Sequence, residues 1–301
     1  MSKYPVSVVI SALNEEKRIK DAIESARQNN PFEIIVVEGG STDNTYSIAK
    51  VYADIAFSVN ESGLGYKRAF GVEKATQKYI LTLDADQVLE ERALEIMINE
   101  LEKDDFVGIQ ASLKSVCNET YWEKAMEYNV AVAHVHTRGD SHYNESYPIE
   151  AIMIGTPALF KADILKSNSF DKSILGSCDD TDLCYRLTKK GFKLGISSAL
   201  CYQKHRSDFK TTFKKFYWYG EGDCEFAFKH TERFWSIFSH PLKNYFYKKS
   251  FKAIKNGNCE FVPFFMFIGL VRHIGFYKHL FKRILGVKID SRSKNVGDYN
   301  Y

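Results

Sequence analysis

Apolar positions in the first ninety residues follow two alternating rhythms. VSVVISAL (Val6 to Leu13) is a β-branched run with hardly a polar face, the pattern of a strand buried on both sides, and it stops at Asn14. From about Glu15 to Asn29 the spacing turns helical. The alternation repeats: EIIVVEGG (Glu33 to Gly40) reads as a buried strand, Ser41 to Asp43 as a turn and cap, and the segment through Lys50 as a helix. Ala53 to Val59 predicts a third strand, Tyr66 to Ala75 a third helix, and YILTLDAD (Tyr79 to Asp86) a fourth strand. Strands alternating with helices imply an α/β fold whose parallel sheet is covered on both faces.

Length and composition narrow the class. A chain of 301 residues suits two domains, or one large α/β domain with an appendage. With 45% hydrophobic and 26% charged residues, disorder, collagen and coiled coil are excluded. A net charge of +3 gives no case for nucleic acid as a partner. The six cysteines form no CxxC pair, so free thiols in a reducing compartment are expected. The N-terminus enters a polar turn after one short apolar run, unlike a signal peptide, and a cytoplasmic location is the expectation.

In open α/β sheets, ligands bind outside the carboxyl ends of the strands. Four loops qualify: Ser11 to Glu16, Glu38 to Asn44, Ser62 to Arg68, and Asp84 to Val88. They bring the amides of Gly39, Gly40, Gly63 and Gly65, the cations Lys67 and Arg68, and the carboxylates Glu38, Asp84 and Asp86. That set suits a nucleotide diphosphate with a divalent metal, because hard cations take oxygen ligands from one or two carboxylates plus phosphates. Asp84 and Asp86 could instead cap a helix starting near Glu90, and Asp179, Asp180 and Asp182 could be a first-turn acidic cluster. His134 and His136 read as packing or acceptor lining. Gly63 and Gly65 do not complete a GxGxxG signature, so a dinucleotide fold is disfavoured.

The order VSVVISALNEE, EIIVVEGGSTDNT, GLGYKRAFGVEKATQKYILTLDADQVL resembles the nucleotide-binding half of family 2 glycosyltransferases with the GT-A fold. Gly155 to Lys193 is similar to that family's acceptor-side segment, and CYQKHRSDFKTTFKKFYWYGEG (Cys201 to Gly222) to its strand-end histidine followed by a basic, aromatic helix. The resemblance covers roughly residues 4 to 225. It implies a mixed, mostly parallel Rossmann-like sheet flanked by helices, with residues 1–110 binding the nucleotide-sugar, 111–225 the acceptor, and 226–301 forming a helical, basic-aromatic extension. It assigns Mg2+ or Mn2+ to Asp86, Asp84 and His205, and the catalytic base to Asp180, with inversion at the anomeric carbon. Donor contacts fall to Ser11, Ala12, Asn14, Glu15, Glu38, Gly40, Gly65, Lys67, Arg68, Asp84 and Ala85. Glu38, Gly39 and Leu13 depart from the residues common in the family, so the donor base is not assigned.

Two other classes stand beside this one. LTLDADQV also matches the nucleophile motif of haloacid-dehalogenase phosphatases, which would start aspartyl-phosphate chemistry at Asp84, and an inactive scaffold could share the transferase fold. Toward the C-terminus, cations and aromatics interleave from Lys204 to Lys255, and FVPFFMFIGLV (Phe261 to Val271) is apolar until Arg272 and His273 interrupt it. Eleven apolar residues are too few to span a bilayer, which needs about 20. The region reads equally as an interfacial anchor on anionic lipid or as a helical subdomain packed through its aromatics. The first reading implies a lipid-linked saccharide or polyprenyl phosphate as acceptor.

Overall fold

The computed structural model describes residues 3–60, 63–116, 119–133, 155–174, 177–203 and 208–287. They fold into two compact units: Met1–Val116 with His134–Ser173 and Asp179–Lys204, and Cys117–Ala133 with Ile174–Cys178 and His205–Tyr301. The strands are β1 Tyr4–Ala12, β2 Pro31–Glu38, β3 Ile55–Ser58, β4 Tyr79–Asp84, β5 Gln87–Leu89, β6 Gly108–Ser115, β7 Ala158–Lys161 and β8 Leu194–Gln203. The helices are α1 Ile19–Gln28, α2 Thr45–Tyr52, α3 Leu64–Lys74, α4 Ala93–Lys103, α5 Tyr121–Ala133, α6 Ala162–Ser167, α7 Asp179–Lys189, α8 Phe209–Lys229, α9 Phe234–Pro241, α10 Ser250–Lys255 and α11 Val262–Ile284.

In the first unit the strands form one sheet in the order β3-β2-β1-β4-β7-β6-β8-β5. The four strands on one side run parallel, β7 is antiparallel to both β4 and β6, β8 is parallel to β6, and β5 closes the sheet antiparallel to β8. Period-two alternation sends successive side chains to opposite faces. Val8, Ile10, Ile34, Val36 and Leu81 pack with Ile19 and Ile23 of α1 and Leu94 and Met97 of α4. Val9, Ile35, Val37 and Ile80 pack on the other face with Ala69 and Val72 of α3 and Leu183 and Leu187 of α7. Strands this apolar at every position are therefore covered on both sides, as the run VSVVISAL demands.

Two boundaries differ from the periodicity. α1 begins at Ile19 instead of Glu15, because Asn14 takes a positive φ of 53° and the next residues are tied to the loop after β2. The amides of Asn14, Glu15 and Glu16 donate to Ser41 Oγ, Thr45 Oγ1 and Asp43 Oδ2 at 3.0, 2.7 and 3.1 Å. After Asp84 the chain makes β5 before α4 begins at Ala93, so the aspartate pair does not cap a helix near Glu90.

The second unit is helical. α8 and α11 meet where glycines remove the side chain: a Cβ on Gly220 would lie 1.9 Å from the Arg272 carbonyl oxygen, and one on Gly275 would lie 2.1 Å from that of Tyr217. Arg272 does not interrupt α11. Its guanidinium pairs with both carboxylate oxygens of Asp223 and donates to Tyr245 Oη at 2.9 Å, so the helix runs on to Ile284. Phe216, Phe264, Phe265 and Ile268 fill the core between them. The expected boundary at residue 225 falls inside α8.

Candidate active site

The carboxyl ends of β1, β2 and β4 lie level in the sheet, since Ser11 pairs with Val37 and with Asp84, and Ala12 with Glu38. The chain leaves β2 through Gly40, whose φ of +81° is costly for any residue with a Cβ. Ser41, Thr42, Asp43 and Thr45 then brace the loop after β1, and Thr42 N–H donates to Asn14 Oδ1 at 2.9 Å. Ser11, Ala12, Asn14, Glu15, Glu38 and Gly40 are thus gathered at one edge. Ser11 is buried with no hydrogen-bond partner for its hydroxyl. Glu38 is buried and accepts from the Ser41 amide at 2.6 Å and from the Ser58 hydroxyl.

α3 places Gly65, Lys67 and Arg68 in its first turns, all buried. Lys67 Nζ donates to the Ala12 carbonyl at 3.3 Å and lies along Gly39, where a Cβ would come within 3.1 Å of it. Burial, and then the neighbouring Arg68 charge, push the Lys67 pKa down to about 8 against the pull of Asp84, Glu38 and Glu15. Arg68 spans two carboxylates, donating to Asp84 Oδ1 and to Asp179 Oδ2, each at 2.8 Å. Its guanidinium also sits 5.7 Å from the centre of the Phe170 ring. Asp179 and Asp84 hold its pKa above the ordinary value although burial opposes the charge.

Asp84 also accepts from the Thr156 hydroxyl, and its amide donates to Gln87 Oε1 at 3.1 Å. Gln203 Nε2 donates to Asp86 Oδ2 at 3.1 Å, and Ala85 between the two aspartates is buried. Glu15 pairs with Arg18 at 2.6 Å. Burial, followed by the negative charge of Asp86 and Asp84, raises the Glu15 pKa to about 7 despite that pairing. The charges of the strand-end carboxylates Asp86 and Asp84 thus reach Glu15. Such an oxygen-donor pair fits a hard divalent cation whose remaining ligands are phosphate oxygens and water. Among the described residues no group of three or more His, Cys, Asp or Glu forms a complete metal cage. His205, His134 and His136 lie outside the described residues.

α7 opens on Asp179 and Asp180, where the helix dipole favours negative charge. Asp180 keeps part of its surface open beside a small cavity lined by Arg68, Thr82, Gly155, Thr156, Phe170 and Asp180 itself. Gly155 gives it room, since a Cβ there would approach Asp180 Oδ2 to 3.3 Å. Burial, and then the charge of Asp179, raise the Asp180 pKa to about 7 against the pull of Arg68. Arg68 thus ties Asp84, the last residue of β4, to Asp179 in the first turn of α7. Thr156, Gln87 and Gln203 were not singled out by their sequence. Only Gln87, directly after DAD, carried a positional hint.

The glycosyl transferase family 2 model matches residues 7–168, just over half of the chain. A lipopolysaccharide core biosynthesis glycosyltransferase of Rhizobium meliloti, LpsC, is 34% identical over 113 residues, which are 35% of this chain and 41% of that protein. An uncharacterized glycosyltransferase of Rickettsia bellii is 25% identical over 224 residues, 72% of this chain and 31% of its own length. The chain thus spans well under half the length of these curated relatives. A mannosyltransferase of Pyrobaculum calidifontis, solved in complex with GDP-Man and Mn2+, superposes with a TM-score of 0.56 at 14% identity. That likeness covers 99% of this chain and 85% of the mannosyltransferase, and the fold is the GT-A fold.

Proposed function

The chain belongs to glycosyl transferase family 2, and from that premise we propose that it moves a sugar from a UDP- or GDP-linked donor to an acceptor hydroxyl or phosphate, with inversion. One observation carries the reading: the ends of β1, β2 and β4 lie level at one edge, and Arg68 links Asp84 of that edge to Asp179, the chain neighbour of Asp180. Ser11, Ala12, Asn14, Glu15, Glu38, Gly40 and Gly65 border the nucleoside and ribose. Lys67 brings a cation to the diphosphate side. Asp84 and Asp86 would hold Mg2+ or Mn2+, and such an ion would supply charge neutralisation to the departing diphosphate.

Arg68 acts through its neighbours. Both of its amino groups are spent on Asp84 and Asp179, so it holds the donor edge and the start of α7 in register. Asp180, in its ionised form, accepts the proton of the acceptor hydroxyl as that oxygen attacks the anomeric carbon from the face opposite the diphosphate. The acceptor class that best suits the apolar C-terminal region and the lipopolysaccharide relative is a lipid-linked saccharide or polyprenyl phosphate at a cytosol-facing membrane surface. Asp84, the nucleophile a phosphatase would need, is bound by Arg68 and Thr156, and family membership removes the remaining support for that reading.

Calorimetric titration of UDP and GDP into the wild type and Asp86→Asn, with and without Mn2+, tests this. Binding of one nucleotide that requires the metal and weakens at least about tenfold in the variant is expected, a loss of about 1.4 kcal/mol. Equal affinity in the variant removes Asp86 from the metal site. No nucleotide binding by the wild type under any condition overturns the transferase reading.

A further inference from the structure

α11 carries an apolar stripe on its outer face. Met266, Leu270, Ile274, Tyr277, Phe281 and Ile284 are all exposed, the last two by 62% and 72%. Their spacing in threes and fours aligns them along one side of the helix. The opposite side is already used, by Phe264, Phe265, Ile268 and Phe276 in the core, by Gly275 against α8, and by Arg272 paired with Asp223. The stripe continues beyond the helix. The Tyr277 ring lies 5.8 Å from Phe238, and Phe238 lies 5.9 Å from Trp235, which is 75% exposed. Exposed apolar side chains contiguous on this scale mark an interaction surface.

Charge identifies the partner. Residues 234–287 hold nine Lys and Arg against one acidic residue, Glu260, in a chain whose net charge is only +3. Arg272 and Lys249 are bound internally, and Lys278 and Arg283 lie over the Tyr217 and Phe228 rings of α8, leaving Lys243, Lys248, Lys255 and Lys282 among the cations of this region. A second copy docked on the same face would set those cations against their own images with almost no carboxylate to answer them. An anionic lipid surface offers both acyl boundary and negative headgroups.

We propose that this face of the helical unit is a bilayer-docking surface, with α11 lying in the plane of the interface and its flanking cations on anionic headgroups. α11 is long and apolar enough by composition to cross a membrane, yet half of its most apolar stretch is buried in the helical unit. Crossing would require leaving Asp223, Tyr217 and the α8 contact behind. The docking surface rests on no property of the nucleotide edge, so its failure and the failure of the transferase reading are distinguishable.

The test is co-sedimentation of the full chain with vesicles of phosphatidylcholine alone or with phosphatidylglycerol, for the wild type and Leu270→Ser/Phe281→Ser. Both substituted side chains are exposed, so unchanged melting and nucleotide binding are expected. The wild type should partition at least about tenfold more strongly onto the anionic vesicles, lose that preference in high salt, and lose most binding in the variant. Brominated lipid should quench the wild-type emission, and Trp235→Phe should remove that quenching, a readout independent of the double variant. No vesicle binding overturns the proposal. So does a dimer in light scattering that the double variant dissolves while vesicle binding stays absent, and so does wild type that resists alkaline carbonate, which marks a spanning helix.

Discussion

At the scale of single residues, Asp180 shows how position sets chemistry. A carboxyl ordinarily near 3.8 is raised to about 7 by burial and by Asp179, with Arg68 restraining the shift. A base works near its own pKa, so the ionised form should dominate only above about pH 7. Acid protonates it, and kcat/KM should fall by about tenfold per unit below that midpoint, since a single proton removes the base. Asp180→Asn should lower kcat by about 10²–10⁴-fold and leave nucleotide affinity unchanged. A flat profile through pH 5 to 8 in the wild type would remove Asp180 from the base role. That Asp84 closes a strand and that Asp179 and Asp180 open a helix was legible in the sequence, because both are local patterns. Arg68 was read as a cation of the donor edge. That it would be buried between Asp84 and Asp179, 16 and 111 positions away, depends on tertiary packing that no local spacing encodes.

At the scale of elements, the β-branched runs gave away β1, β2 and β4 because both faces of each are covered, leaving hardly any polar position to blur the signal. β5 was missed because three residues are too short for periodicity, and its pairing with β8 spans more than 110 positions. The length of α11 was hidden for a different reason. Arg272 and His273 look like an interruption in an apolar run, yet Arg272 turns inward to Asp223, so polarity within the helix marks its core side. The glycines of α8 and α11 make the same point. Gly220 and Gly275 each face the partner helix's backbone carbonyl, which cannot move aside as a side chain can. Gly275→Ala should therefore destabilise by at least about 1–3 kcal/mol, as overpacking does, although alanine is the better helix former. Urea unfolding followed by the helical signal checks this. A stabilised Gly275→Ala would mean that the helices separate at no cost and that the close approach contributes nothing.

At the scale of the whole molecule, there are two units with separate cores: the sheet unit carries the strand ends proposed to bind the nucleotide, and the helical unit carries the apolar face proposed to dock on lipid. Ligand binding stabilises the part of a protein whose native state it recognises, by RT ln(1 + [L]/Kd), about 2.7 kcal/mol at a hundredfold excess over Kd. That free energy should appear where the ligand's contacts are. With the preferred nucleotide and Mn2+, hydrogen exchange should slow at the ends of β1, β2 and β4, in the Gly39 to Thr45 loop, and in the first turns of α3. The amides of α9 and α11 should exchange as before, because none of their groups belongs to the nucleotide edge. Anionic vesicles should give the reverse pattern, protecting the outer face of the helical unit and leaving the strand ends unchanged. Equal protection of both units by nucleotide alone would mean that they unfold as one cooperative body, and that donor occupancy and membrane docking are energetically linked.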